Sequence, residues 1–187
     1  MNPIKHNLIT AFKMLRDPWK TLEEVESENA FNTFTFLLTI GAVTALLTTL
    51  QIYLGFEDIN GLHAGDQAEY LARDLSALCR LGIEWRPLLI EILYIFILLF
   101  STVCLHIILI AVGGRGSIGD TFRMIAYGDT PGLLFGWIPY FATVSAVWAA
   151  AIQLLIGPVA VHKITWGKAT IIFGMLVGLG VIEIALS

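Results

Sequence analysis

Charge is scarce in this chain: Asp, Glu, Lys and Arg make up 14% of 187 residues, against about 25% in ordinary soluble domains. The stretch from Phe34 to Leu54 holds no Asp, Glu, Lys or Arg, and the runs 88–112, 122–157 and 169–186 hold only Glu91, Arg123, Asp129 and Glu183 between them. Basic clusters are missing as well. With a net charge of −4 and no run of Lys and Arg, a sequence-independent nucleic-acid binder is excluded, because such proteins need clustered basic residues. Cysteine is limited to Cys79 and Cys104, which excludes a disulfide framework and a Cys-based metal site. The four histidines, His6, His63, His106 and His162, show no spacing that would put two ligands on one helix face, so no metal is expected. No nucleophile elbow of the G-x-S-x-G kind occurs, and nothing in the sequence assembles a catalytic set. Gly114-Arg115-Gly116-Ser117-Ile118-Gly119 formally fits G-x-G-x-x-G, but a long apolar run precedes it where a dinucleotide site needs a strand, so it is read as a turn. A non-enzymatic protein without a cofactor is the expectation.

Hydrophobic residues are what the chain has, at 57% of the total and a mean hydropathy of +0.78. A hydrocarbon core of about 30 Å takes roughly 20 apolar residues in helical form, and the apolar runs meet that length. The run from Phe122 to Gly157 is too long for one crossing. It divides at Trp137-Ile138-Pro139-Tyr140, where aromatic rings suit a membrane interface and a proline suits the start of a helix. The result is an all-α polytopic membrane helix bundle with five spans near 34–54, 88–112, 122–138, 140–157 and 168–185. The first apolar run starts too far behind the basic N-terminal residues for a cleavable leader and is read as a retained span.

Basic residues are retained on the cytoplasmic side of membranes. With the N-terminus inside, five spans place Lys5, Lys13, Arg16, Lys20, Arg115, Arg123, Lys163 and Lys168 in the cytoplasm, eight residues, and Arg73, Arg80 and Arg86, three, outside. A four-span alternative reduces the bias to six against five. The expected location is therefore the cytoplasmic (inner) membrane, N-terminus inside and C-terminus outside.

Two polar segments frame the spans. In residues 1–33, Ile4, Leu8, Phe12, Leu15 and Trp19 recur at helical spacing beside Lys5, Lys13 and Arg16, as expected for a helix in the cytoplasmic interface or for one packed on the protein itself. Asp17 as a cap with Pro18 behind it predicts a second helix running toward Ser27. Residues 34–187 form the membrane domain, whose loop 55–87 is expected to carry an outer amphipathic helix with Asp66 and Glu69 near its start.

Inside the spans, polar groups in lipid usually face protein or water. His106, Asp129 and Gln153 are the candidates. Pro131 disfavours helix at Thr130, so Asp129 and Thr130 are expected either to cap a restarted half-helix or to belong to a transport path. Small residues at four-residue spacing, Gly128/Gly132/Gly136, Ala146/Ala150 and Gly174/Gly178, predict close helix packing within the chain or in a homo-oligomer.

One ordered series of residues resembles a known family. Asp120-Thr121-Phe122-Arg123, Ala126-Tyr127, Pro131, Gly136-Trp137-Ile138-Pro139, Trp148, Gln153, Ile156-Gly157 and His162-Lys163-Ile164-Thr165-Trp166-Gly167-Lys168-Ala169 follow the order seen in the Yip family (Ypt-interacting proteins), and Asp17-Pro18 resembles the start of prokaryotic members. The resemblance implies five spans with a cytoplasmic N-terminus. Eukaryotic relatives bind prenylated Rab-type GTPases, but their Asp-Leu-Tyr-Gly-Pro-type motif is absent here. The expected role is thus a membrane-organising or protein-interaction scaffold of prokaryotic type, in contact with membrane lipids and an unidentified protein partner. Its candidate interaction face is Arg115, Asp120, Arg123, His162, Lys163 and Lys168, where basic groups meet anionic lipid or an acidic partner. The alternative is a small transporter or channel with a polar path through His106, Asp129 and Gln153.

Overall fold

Asp17 and Pro18 divide the N-terminal segment as their order predicts: helix α1 spans Pro3–Arg16 and α2 spans Pro18–Val25, the Asp17 carboxylate accepting the Lys20 amide at 3.1 Å. These helices belong to a computed structural model that describes residues 3–53, 86–138 and 141–186. The expected outer helix in 55–87 lies outside the described residues. The apolar stripe of α1 does not enter the protein. Its inner face is Asn7, Thr10, Ala11 and Met14, while Ile4 and Phe12 stay exposed and Leu8 packs only partly. Polar Asn7 earns that place by donating to the Thr35 carbonyl and the Thr39 hydroxyl on the next helix, at 3.1 and 2.9 Å, because a buried amide needs partners.

That helix, α3 (Ala30–Tyr53), starts where the Asn29 side chain accepts the Asn32 amide at 2.8 Å and, with 24 residues at 1.5 Å each, runs about 36 Å. Helix α4 (Arg86–Ala111) is slightly longer. Leu98, Thr102, Leu105 and Leu109 of α4 turn inward, while Phe96, Phe100, Val103, Ile107 and Ile110 are exposed. A continuous exposed apolar face of this size suits lipid and not water. Among the described residues, three helical stretches are long and apolar enough to cross a membrane, Ala30–Leu47, Ile92–Ala111 and Ala142–Ala160, and a shorter apolar helix covers Trp166–Gly178. The described chain is entirely helical, without strands, so the protein is a membrane helix bundle.

The expected span 122–138 is not one continuous helix. It is α5 (Ile118–Gly128) followed by α6 (Thr130–Phe135), broken at Asp129 where Pro131 forbids an unbroken ladder. Thr121, Met124 through Gly128 and Thr130 through Leu133 are buried, so this broken element forms the centre of the bundle. After a turn at Gly136–Ile138 comes α7 (Ala142–Ala151), as the Trp137 division predicts. A π-helical turn at Ile152–Ile156 follows and then α8 (Gly157–Ala160). Pro158 has no amide hydrogen for the Leu154 carbonyl, and the helix widens just before it, the Gly157 amide reaching back to the Ile152 carbonyl. The last helix, α9, spans Trp166–Leu186.

Three separated segments meet at one end of the bundle. The Arg115 amide donates to the His162 carbonyl at 3.1 Å, Lys168 Nζ donates to the Val112 carbonyl at 2.6 Å, and the Trp19 and Trp166 rings stack with centroids 5.7 Å apart. The N-terminal segment, the 112–117 turn and the 161–165 loop therefore share this end.

Candidate functional site

Ser117 begins α5 with a full capping box: its hydroxyl accepts the Asp120 amide at 3.2 Å, and the Asp120 carboxylate accepts the Ser117 amide at 2.6 Å. The glycine-rich run is thus a helix entry. Burial works against the charged Asp120 carboxylate, but hydrogen bonds from the Ser117 backbone and hydroxyl and from Arg123 outweigh it and hold the group below the usual carboxylate range. Arg123 pairs with Asp120 and also donates to the Glu28 carbonyl at 2.7 Å. Tyr127, one turn further along α5, donates its hydroxyl to the Glu28 carboxylate at 2.5 Å, and His6 lies 3.3 Å from that same carboxylate. Glu28 is the knot of a clasp that ties the N-terminal segment to α5.

A second polar group lies beneath the turn. Thr121 sits between two imidazoles, its hydroxyl 2.8 Å from His106 Nδ1 and 2.9 Å from His162 Nε2, with the two rings 5.9 Å apart. The residues come from α4, α5 and the 161–165 loop. His162 is fully buried, and its Nδ1 has no hydrogen-bond partner and presses on Gly116, where an added Cβ would lie 2.6 Å from that nitrogen. Burial of the ring, with His106 beside it, pushes His162 down to about 4, although Asp120 pulls the other way. A neutral imidazole is the form this packing holds. Among the described residues no group of three or more His, Cys, Asp or Glu side chains is arranged to hold a metal ion.

The six residues of the expected interaction face do not form one surface. Asp120, Arg123 and His162 turn inward to the clasp and the histidine pair. Arg115, Lys163 and Lys168 are exposed. Lys163 takes a left-handed conformation (φ 56°) that reverses the loop, and its ammonium donates to the Ala160 carbonyl.

The expected polar path is divided as well. The Asp129 carboxylate receives the Tyr94 hydroxyl from α4, and the Gln153 amide, aimed inward by the π turn, lies within hydrogen-bonding reach. Asp129 makes no capping bond to α6, so its side chain is committed to α4 and the π turn and not to the helix restart. Gln153 also donates to the Ile125 carbonyl at 3.3 Å. Gly128 allows this approach, since a Cβ there would meet Gln153 Cγ at 2.7 Å. His106 belongs elsewhere: its partner Thr121 is eight residues from Asp129, about 12 Å along the helix axis. Gly174 and Gly178 on α9 face open space, unlike Gly128 and Gly132.

Sequence reasoning missed the histidine pair and the Glu28 knot. Both join residues distant in sequence, His106 to His162 and Glu28 to Arg123 and Tyr127, and no local spacing encodes such contacts. Tyr94 was missed for the same reason.

Residues 12–186 match the Yip1 domain. The chain belongs to the Yip family. No curated protein and no solved structure matches it. The Yip domain covers α2 through α9 and most residues of the clasp, while His6 and the first turns of α1 precede it. Members of the Yip family interact with proteins and membranes, and the family is not known as an enzyme family.

Proposed function

We propose that this Yip protein is a non-enzymatic membrane scaffold that presents a basic, aromatic-edged layer to a protein partner at the membrane surface. The observation that carries the reading is the Glu28 clasp. It fixes α1 and α2 against α5 at the end of the bundle where the Arg115–His162 and Lys168–Val112 bonds already gather Arg115, Lys163 and Lys168, and where Trp19 stacks on Trp166. A fixed array of this kind suits recognition, because little ordering entropy is left to lose on binding. The layer is cytoplasmic in this reading, with the outward stripe of Ile4 and Phe12 resting in the interface beside Lys5 and Arg16. The test is affinity capture of the full-length protein from its native membrane after crosslinking. A reproducible partner lost on Arg115→Gln with Lys163→Gln is the expected result; capture unchanged by those substitutions sinks the reading.

A transporter role around Asp129 has one observation in its favour, the Tyr94–Asp129–Gln153 group at a helix break deep in the bundle. It predicts proton or solute flux in liposomes that Asp129→Asn abolishes. Absence of flux over a broad solute panel leaves the scaffold reading alone.

A further inference from the structure

Helix α9 packs against the π turn and α8, and a gap of about 240 Å³ opens between it and α4. Its walls include Phe100, Ser101, Cys104 and Ile108 of α4, Gln153 of the π turn and Leu176 of α9. Apart from the Ser101 hydroxyl and Gln153, whose amide already donates to Ile125, the walls are apolar, and water held there would lack its usual two to four polar partners. Phe100 of its wall is exposed, as are Ile107 of α4 and Ile171 and Met175 of α9, the two helices that flank it. The solvent that reaches it is hydrocarbon.

One end of the groove is charged. Ile108 stands one turn, about 6 Å, below Val112, whose carbonyl holds Lys168 Nζ at 2.6 Å. That bond engages one of the three ammonium donors. It also fixes the cation over the glycine turn, where a Cβ on Gly113 would lie 3.5 Å from Nζ. Arg115 is exposed two residues further on, and the nearest acid in that segment, Asp120, is engaged by Ser117 and Arg123. A chain lying in the groove thus has its headgroup toward the Lys168 ammonium, with Arg115 exposed on the same turn.

We propose that this groove binds one acyl chain of an anionic phospholipid from the adjoining leaflet, with the headgroup phosphate on Lys168 and Arg115. The preference for an anionic lipid follows from the same two cations, since the ammonium of a zwitterionic headgroup meets repulsion there and a glycerol headgroup does not. The proposal rests on and deepens the membrane side of the scaffold reading, and the Cys104 substitutions separate the two.

The test is native mass spectrometry of the full-length protein released from bilayers of phosphatidylcholine and phosphatidylglycerol in equal parts. One phosphatidylglycerol retained per chain is expected. Lys168→Gln and Arg115→Gln each lower that retention about fivefold. Cys104→Trp, which fills the groove and leaves the basic layer untouched, removes lipid retention while partner capture persists; Cys104→Phe does the same with less added bulk. Equal retention of phosphatidylcholine, retention unaffected by Cys104→Trp in a protein that still elutes as folded, or a lipid-free dimer with α9 seated in the groove of a second copy overturns the proposal.

Discussion

Thr121 is the residue on which most depends for its size. Its hydroxyl serves His106 and His162 together, so Thr121→Val keeps the shape and leaves two imidazole nitrogens without a partner. A loss of about 1 to 3 kcal/mol is expected, read as a lower unfolding temperature in detergent, whereas Thr170→Val, an exposed site bonded only to its own helix, changes little. The histidine pair also gives stability a pH dependence. His162 has an ordinary value near 6.5 and is pushed down to about 4 in the folded protein, so between those values the unfolded chain binds the proton and the folded one does not. Its contribution is complete above about 6.5, is lost as pH falls toward 4, and changes no further below that. Asp120 is shifted in the same direction, held below the usual carboxylate range, and its contribution is lost as well, but only at more acidic pH. Thermal scans across pH 4 to 8 are expected to slope downward toward acid, and His162→Gln to flatten the slope.

At the scale of elements, the fold was legible where a single residue type dictates backbone geometry. Asp17-Pro18 starts α2, Pro131 breaks the helix at Asp129, and the Trp137 segment divides 122–157. What those breaks position was not legible. The sequence assigned Asp129 either to a cap or to a path, while its actual partner, Tyr94, sits 35 residues away on α4. The same is true of the N-terminal helices: periodicity found the stripe of Ile4 and Phe12, but only the Asn7 bonds to α3 reveal that the opposite face packs inward. The clasp is correspondingly testable. Arg123 joins Asp120 to the Glu28 carbonyl, so Arg123→Gln is expected to loosen α1 and α2 while leaving α4 and α9 intact. Hydrogen exchange of the full-length protein in detergent checks this, with faster exchange confined to residues 3–28 as the expected pattern. Equal exchange in wild type and variant means the clasp holds nothing.

For the whole molecule the open question is how often the chain crosses the bilayer, and one contact bears on it directly. A four-span arrangement puts Lys163 and Lys168 on the opposite side from Arg115, across about 30 Å of hydrocarbon. The Arg115 amide lies 3.1 Å from the His162 carbonyl, and Lys168 reaches the Val112 carbonyl at 2.6 Å, which supports an arrangement in which both turns return to the same side. Five crossings satisfy this, with α5 and α6 together as the third pass, sheltered by the other helices. Such shelter suits an element with a break and a carboxylate at its middle, since irregular backbone at membrane depth is tolerated only inside protein or a water-filled cavity. On the basic-residue bias this end is the one expected in the cytoplasm. In a background with Cys79 and Cys104 replaced by serine, single cysteines at Lys5, Arg115 and Lys163 are expected to resist a membrane-impermeant maleimide in intact cells and to react after permeabilisation, while a cysteine at Asn60 reacts in intact cells. Labelling of the Lys163 site from outside, with the Arg115 site protected, would restore the four-span topology and break the contacts on which the clasped layer rests.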